Sequence, residues 1–515
     1  MTCIAHDGEP FPLFEYAREM GLAALAASPL GALRPGEKVA DLFCGAGGWG
    51  EGGKLCGLRV DFAINHSPEA ITTHARNNPG CRHHLGDAWK ARPREVIGEG
   101  TRLGLLLASA ACTTHSRAKG SAPVSKRVHM LGWCIARWME EAQPRLVLIE
   151  NVPEWKDWGP LIAKRDENGR ELRDAQGRLI RVQDPRRKGQ HFRRWWRYCE
   201  RLGYVMEMRV LDAPDYGEAS RRRRLFVIAR RDGQPICWPE VTHGSTVEAT
   251  ALGVRFQGKN PGAAHEPGAW VHALQDPRDR PKSKGAHVAV RRNGHQAGGC
   301  ERVHARELRP CRTAADIIDW SDLGKSIFGR KQALKPKTQA RIAEGIRRYV
   351  IADADPFVLR VTHGEGSWKV SPIDAPLPTQ TTGTVTTLDR HGLVGVMLGL
   401  SAAGAARALE TAAWLRKHLG DAVPIEPETG LAYTVIGGVR RYFIDILFRM
   451  LRALELAAAM GFPADYVWPR TRTGSINQRV AVRMIGNAVS VRTARARIAS
   501  VLPGLAATQR KAVRA

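Results

Sequence analysis

The sequence has no two cysteines at CxxC spacing; its ten stand apart at 3, 44, 56, 81, 112, 134, 199, 237, 300 and 311. Zinc ribbons and fingers take their ligands from such pairs, so both are excluded and no metal is expected. Scattered thiols suit a reducing compartment, and a cytoplasmic setting is expected. Long apolar runs are also missing. The most apolar region, 396–414, carries Arg407 and Glu410 and is broken by glycines, so no membrane partner is expected. The first residues, MTCIAHD, lack the charged segment and apolar core of a secretory signal, and none is expected.

Acidic residues are in deficit. Asp and Glu number 51 against 78 Lys and Arg, for a formal net charge of +27. A surplus this large favours a polyanionic partner, nucleic acid above all, over a merely solvated basic surface. The 515 residues are 43% apolar, which suffices for a buried core without disulfides. The length fits about two to four domains.

Residues 1–36 have the apolar spacing of a helical lead-in. From 37 to 235, short apolar runs alternate with helical stretches: 39–43, 60–64, 103–108, 146–149 and 225–229 read as strands. Such runs mark a sheet buried on both faces, hence a doubly wound, mostly parallel α/β domain. A polar insertion, 162–190, reads as an exposed hairpin or loop around Asn168-Gly169 and Gln176-Gly177. Residues 236–440 lose the βα rhythm and read as a smaller, irregular domain. Residues 441–504 return to helix, with an amphipathic helix over 442–460, and 505–515 form a basic tail.

Five motifs carry chemistry, and each has a plainer reading. In DLFCGAGG (41–48), a strand runs into glycines that let backbone N–H groups approach a ligand, or that simply make a tight turn. Asp87, in GDAW (86–89), is placed to accept from an amino group or to cap a helix. Cys112 follows a strand in a loop of small residues, with Arg117 and Lys119 close enough in sequence to favour a thiolate nucleophile; an inert buried cysteine is the alternative. Glu150, in ENVP (150–153), ends a strand and suits a heterocycle's ring nitrogen and amine, or a helix cap. In SRRRR (220–224), Arg222 and Arg224 share a face if the strand is extended there, as a clamp or as a solvated edge.

Taken in order, these motifs resemble the DNA cytosine-5 methyltransferases. DLFCGAGG resembles the family's first motif, ENVP the sixth, and YGEASRRRRLFVIA (216–229) the eighth. Residues 456–466 resemble the ninth and IGNAV (485–489) the tenth. The likeness covers about 37–232 and 441–495, and the stretch 111–120 is similar to a branch found in phages and prophages. The resemblance implies a Rossmann-like methyltransferase that uses S-adenosylmethionine. Asp41, Phe43, Gly45, Gly47, Gly48, Asn65, Asp87, Asn487 and Val489 would hold the cofactor. Cys112 would attack C6 of a cytosine flipped out of double-stranded DNA, Glu150 would grip the base, and Arg222 and Arg224 would steady it. Residues 236–440 would be the target-recognition domain, and the enzyme would act as a monomer.

Three positions depart from the pattern. The family's Pro-Pro before the cysteine is Ala110-Ala111, which removes two stiffening residues. Asn65 stands where an acid would meet the ribose, and Ser220 where a glutamine would precede the arginines. Two other readings stay open at this point: the same chemistry on tRNA, and an inactive DNA-binding homologue.

Overall fold

Unbroken apolar runs become the inner strands of a seven-stranded sheet. The computed structural model describes residues 32–110, 126–174, 176–244, 308–351, 355–360, 370–378, 391–399, 405–436, 438–471 and 473–504. The sheet is made by β1 (Glu37–Leu42), β2 (Phe62–Asn65), β3 (Arg82–Leu85), β4 (Arg102–Ala108), β5 (Leu146–Asn151), β8 (Val205–Asp212) and β9 (Arg223–Arg230). Their order is β3-β2-β1-β4-β5-β9-β8. The first five are mutually parallel, and β9 runs antiparallel to both its neighbours. This is the doubly wound, mostly parallel sheet read from the sequence.

Both faces are covered. Ala40, Leu42, Leu106 and Ala108 point into one core, and their chain neighbours Val39, Leu105 and Leu107 into the other. Each fully buried aliphatic side chain contributes about 1.5–3 kcal/mol. The helices of this part are α1 (Gly48–Lys54), α2 (Pro68–Asn77), α3 (Pro93–Ile97), α4 (Lys126–His129), α5 (Leu131–Ala142) and α6 (Gln190–Arg201). Between α5 and α6, the polar insertion forms a hairpin of β6 (Leu161–Ala163) and β7 (Arg181–Gln183).

After β9, β10 (His243–Gly244) pairs with β11 (Arg309–Pro310). A second sheet follows, of β12 (Lys325–Ser326), β13 (Phe357–Arg360), β14 (Val370–Pro372), β15 (His391–Gly399), β16 (Tyr433–Ile436) and β17 (Val439–Met450). With α7 (Pro336–Gly345) and α8 (Ala405–Leu419) it encloses its own core around Ile342, Phe357, Leu415, Phe443 and Ile446. The chain then returns through α9 (Ala453–Ala459), α10 (Gln478–Asn487) and α11 (Val491–Val501).

One expectation is overturned. Residues 442–460 are not a single helix: they divide into the end of β17 and the short α9. The aromatic and β-branched side chains Tyr442, Phe443, Ile444, Ile446 and Phe448 favour extended chain. A bulge explains the misleading period. Met397 pairs with Asp445, but Leu398 pairs with Phe443, so Ile444 is an extra residue in the ladder. The inward set therefore steps from Phe443 to Ile446, a spacing of three that imitates a helix.

Of the sequence expectations, the lead-in up to residue 31, the cysteine at 112 and the tail 505–515 lie outside the described residues. Among the described residues, no helix is long and apolar enough to cross a membrane.

Candidate active site

The site assembles at the carboxyl ends of the central strands, where a doubly wound sheet presents its loops. Asp41 lies in β1, fully buried. Among the described residues neither of its carboxylate oxygens has a hydrogen-bond partner, and burial holds its pKa well above the usual carboxylate range. A buried acid left without donors is costly and calls for a cationic or hydrogen-bonding ligand.

The turn after β1 is conformationally demanding. Phe43 adopts φ 66°, unusual for a residue with a side chain, and Gly45 and Gly47 take φ 54° and 77°. Gly48 is needed for a different reason, close approach: a β-carbon there would stand 2.1 Å from the Val489 carbonyl oxygen. The buried Tyr466 hydroxyl donates to the Ala46 carbonyl and pins the turn from the other side. Asp41, the glycine turn and the 486–489 segment thus form one cradle. Its chemistry, an orphaned carboxylate behind a turn of bare backbone, fits the sulfonium and ammonium groups of S-adenosylmethionine.

The other two expected cofactor contacts are committed locally. Asn65 accepts from the Ser67 backbone N–H at 2.9 Å, and Asp87 accepts from the Trp89 N–H at 2.9 Å. Both oxygens thereby stabilise their own turns. The Gly86 N–H donates to the Asn65 carbonyl at 3.0 Å, which holds the two loops side by side.

Glu150 is the penultimate residue of β5 and is buried. Its Oε1 lies 3.1 Å from Arg224 Nε and 3.5 Å from Arg222 Nη2. Arg223 turns away toward Asp212, 3.8 Å from it, so the alternation expected of SRRRR is seen. Arg222 also donates from Nη1 to the Gly486 carbonyl at 2.9 Å. One guanidinium therefore joins β5, the start of β9 and the end of α10. An arginine is suited to this, because its planar fork holds two partners in fixed directions.

Cys112 lies outside the described residues, but the chain leading to it is fixed. The Ser109 N–H donates to the Leu42 carbonyl at 3.2 Å, and Asn151 Nδ2 donates to the Ala110 carbonyl at 3.3 Å. The strand end before the cysteine is held between the glycine turn and the residue after Glu150. Sequence reasoning missed Asn151 and Tyr466 as supports. Both sit inside motifs, and only their pairing across the fold reveals their use.

Residues 37–158 and 182–258 match the family described as C-5 cytosine-specific DNA methylase. Among curated relatives, the type II methyltransferase M.AgeI of Thalassovita gelatinovora is 28% identical over 40% of this chain and 42% of its own length. The type II methyltransferase M.AquIA of Picosynechococcus is 25% identical over 42% of this chain and 81% of its own. The chain thus spans less than half the length of the first of these relatives. Among solved structures, a mutant of Spodoptera frugiperda DNMT2 aligns over 90% of this chain and 99% of its own, at 13% identity and a TM-score of 0.44.

Proposed function

We propose, from the premise that the chain belongs to the family of C-5 cytosine-specific DNA methylases, that it methylates C5 of a cytosine extruded from double-stranded DNA. One observation carries this reading: a buried carboxylate, Glu150, is flanked by Arg222 and Arg224 and lies beside the strand end that leads to Cys112.

In this reading each side chain has a distinct task. Glu150 accepts from the exocyclic amine of cytosine and holds a proton at the ring nitrogen. That draws electron density from C6 and prepares it for attack. Arg222 and Arg224 fix the carboxylate, so that it is already aimed when the base arrives. The Cys112 thiolate adds to C6 and forms a C–S bond, which raises the electron density at C5. S-adenosylmethionine, when bound, supplies the methyl group. C5 then loses its proton to a base, and the C–S bond breaks to return the cysteine. Asp41, the turn from Phe43 to Gly48, and Asn487 and Val489 would hold the donor. The second sheet and its loops, within 236–450, would read the duplex, and the surplus of basic residues would meet phosphates.

The test is direct. Purified protein is incubated with tritiated S-adenosylmethionine and DNA, and the digested product is searched for labelled 5-methylcytosine. A trap with fluorocytosine-containing duplex should give a covalent complex that is lost in Cys112→Ala. Donor binding without label in any duplex, or a trap that survives the substitution, would overturn the reading.

A further inference from the structure

We propose that His74, Cys81 and His83 form a binding site for a single zinc-like divalent ion, set under the glycine turn. The three residues come from separate elements: His74 from the last turn of α2, Cys81 from the turn after it, and His83 from β3. Their ligand atoms all lie within 4.8 Å of one another. His74 is wholly buried, Cys81 is nearly so, and His83 is half-buried.

The donor set is specific in its chemistry. Two imidazoles and a thiolate suit zinc, whereas magnesium and calcium prefer oxygen.

Without an ion, His74 Nδ1 and His83 Nε2 share a hydrogen bond of 2.8 Å. Tetrahedral zinc needs about 3.3 Å between two nitrogens and about 3.6 Å between nitrogen and sulfur, from bond lengths near 2.0–2.3 Å. The imidazoles therefore part by roughly half an ångström. On binding, the shared proton moves to the far nitrogen of its own ring. The Cys81 S–H bond breaks, a metal–sulfur bond forms, and one proton passes to solvent. His83 also lines a cavity of about 440 Å³ with Arg82, His84 and Asp87, which gives the ion and a fourth, water ligand a way in.

The placement assigns the ion a structural task. A β-carbon on Gly47 would meet His74 Cδ2 at 3.0 Å, so the His74 ring is the floor on which the cofactor turn rests. An ion that joins His74 to β3 stiffens that floor. This inference stands apart from methyl transfer, and its test does not read activity.

The full chain is stripped with a chelator, dialysed, and titrated with Zn²⁺ or Co²⁺. The expected result is one ion retained per chain, a thiolate-to-cobalt charge-transfer band, and a higher Tm than the stripped protein. Cys81→Ser should remove the band, and His83→Gln should weaken retention by about tenfold or more. The partly exposed His83→Gln decides the matter if Cys81→Ser fails to fold, as judged by circular dichroism of the stripped proteins. Failure to retain an ion, or retention and band unchanged in either folded variant, would overturn the site and leave the two histidines as a plain hydrogen-bonded pair.

Discussion

The backbones of Gly48 and Val489 are in direct contact: a β-carbon on the first would stand 2.1 Å from the carbonyl oxygen of the second. The first helix of the sheet and the last turn before α11 thereby share one wall of the cofactor cradle. Gly48→Ala should cost roughly 1–3 kcal/mol or more, because both partners are backbone and neither can swing aside. Thermal unfolding should show the loss, and calorimetry should show weaker donor binding. Gly50→Ala is the control. Its new methyl would meet only side chains at 3.6–3.7 Å, in ordinary contact, so it should be neutral or slightly stabilising.

Glu150→Gln keeps the shape of the side chain and removes the charge that Arg222 and Arg224 face. Methyl transfer should fall about 10²–10⁴-fold, as for loss of a proton-holding group. Stability should fall by about 3–5 kcal/mol, since two buried guanidiniums lose their counter-charge. Rate and unfolding measurements on one preparation check both, and unchanged donor affinity separates the effect from damage to the cradle.

Glu218 gives a pH signature. It is fully buried, accepts from the Arg492 backbone N–H at 2.6 Å, and is raised to about 7, by burial above all. The native state therefore binds a proton that the unfolded chain releases near the ordinary value of 4.5. The stabilisation is complete below about pH 4.5 and is lost as pH rises to about 7, roughly 3 kcal/mol in all. Glu218→Gln mimics the neutral form. The Tm of the unaltered protein should fall relative to that of the variant across this window, and parallel curves would refute the assignment.

The charge of +27 predicts salt-sensitive DNA binding. If about six phosphates are neutralised, affinity should drop about 10³-fold between about 50 and 200 mM salt. Fluorescence anisotropy with a labelled duplex reads this slope. A flat slope would detach the basic surplus from DNA.

The buried strands were legible because both their faces are covered, as in LVLI at 146–149 and LFVIA at 225–229. Two strands of the same sheet were not. The edge strand β3 reads RHHL, and β8, at the opposite edge, alternates polar and apolar residues in MEMRV. Edge strands bury less, so their composition says less. The misread at 442–460 came from a bulge, which only pairing reveals. The acid–arginine cluster was foreseen residue by residue, but its link to Gly486 was not, because nothing local marks a carbonyl as a partner. The histidine–cysteine triad was hidden for a similar reason: cysteine spacing cannot report ligands gathered by a helix end and the next strand.

The packing of α11 on α1 has a consequence for synthesis. β-carbons added at Gly52 would collide with Ala494 and with the Val491 carbonyl, so the earliest helix of the sheet is shaped for the last described one. A ribosome must release the chain through Val501 before that surface is covered. A nascent chain stopped after Met450 would own every described strand of both sheets and still expose the groove meant for Ala494, Ile498 and Val501. Maturation of the cofactor half is thus timed by the emergence of α11, and the intermediate that waits for it is the one a chaperone would meet.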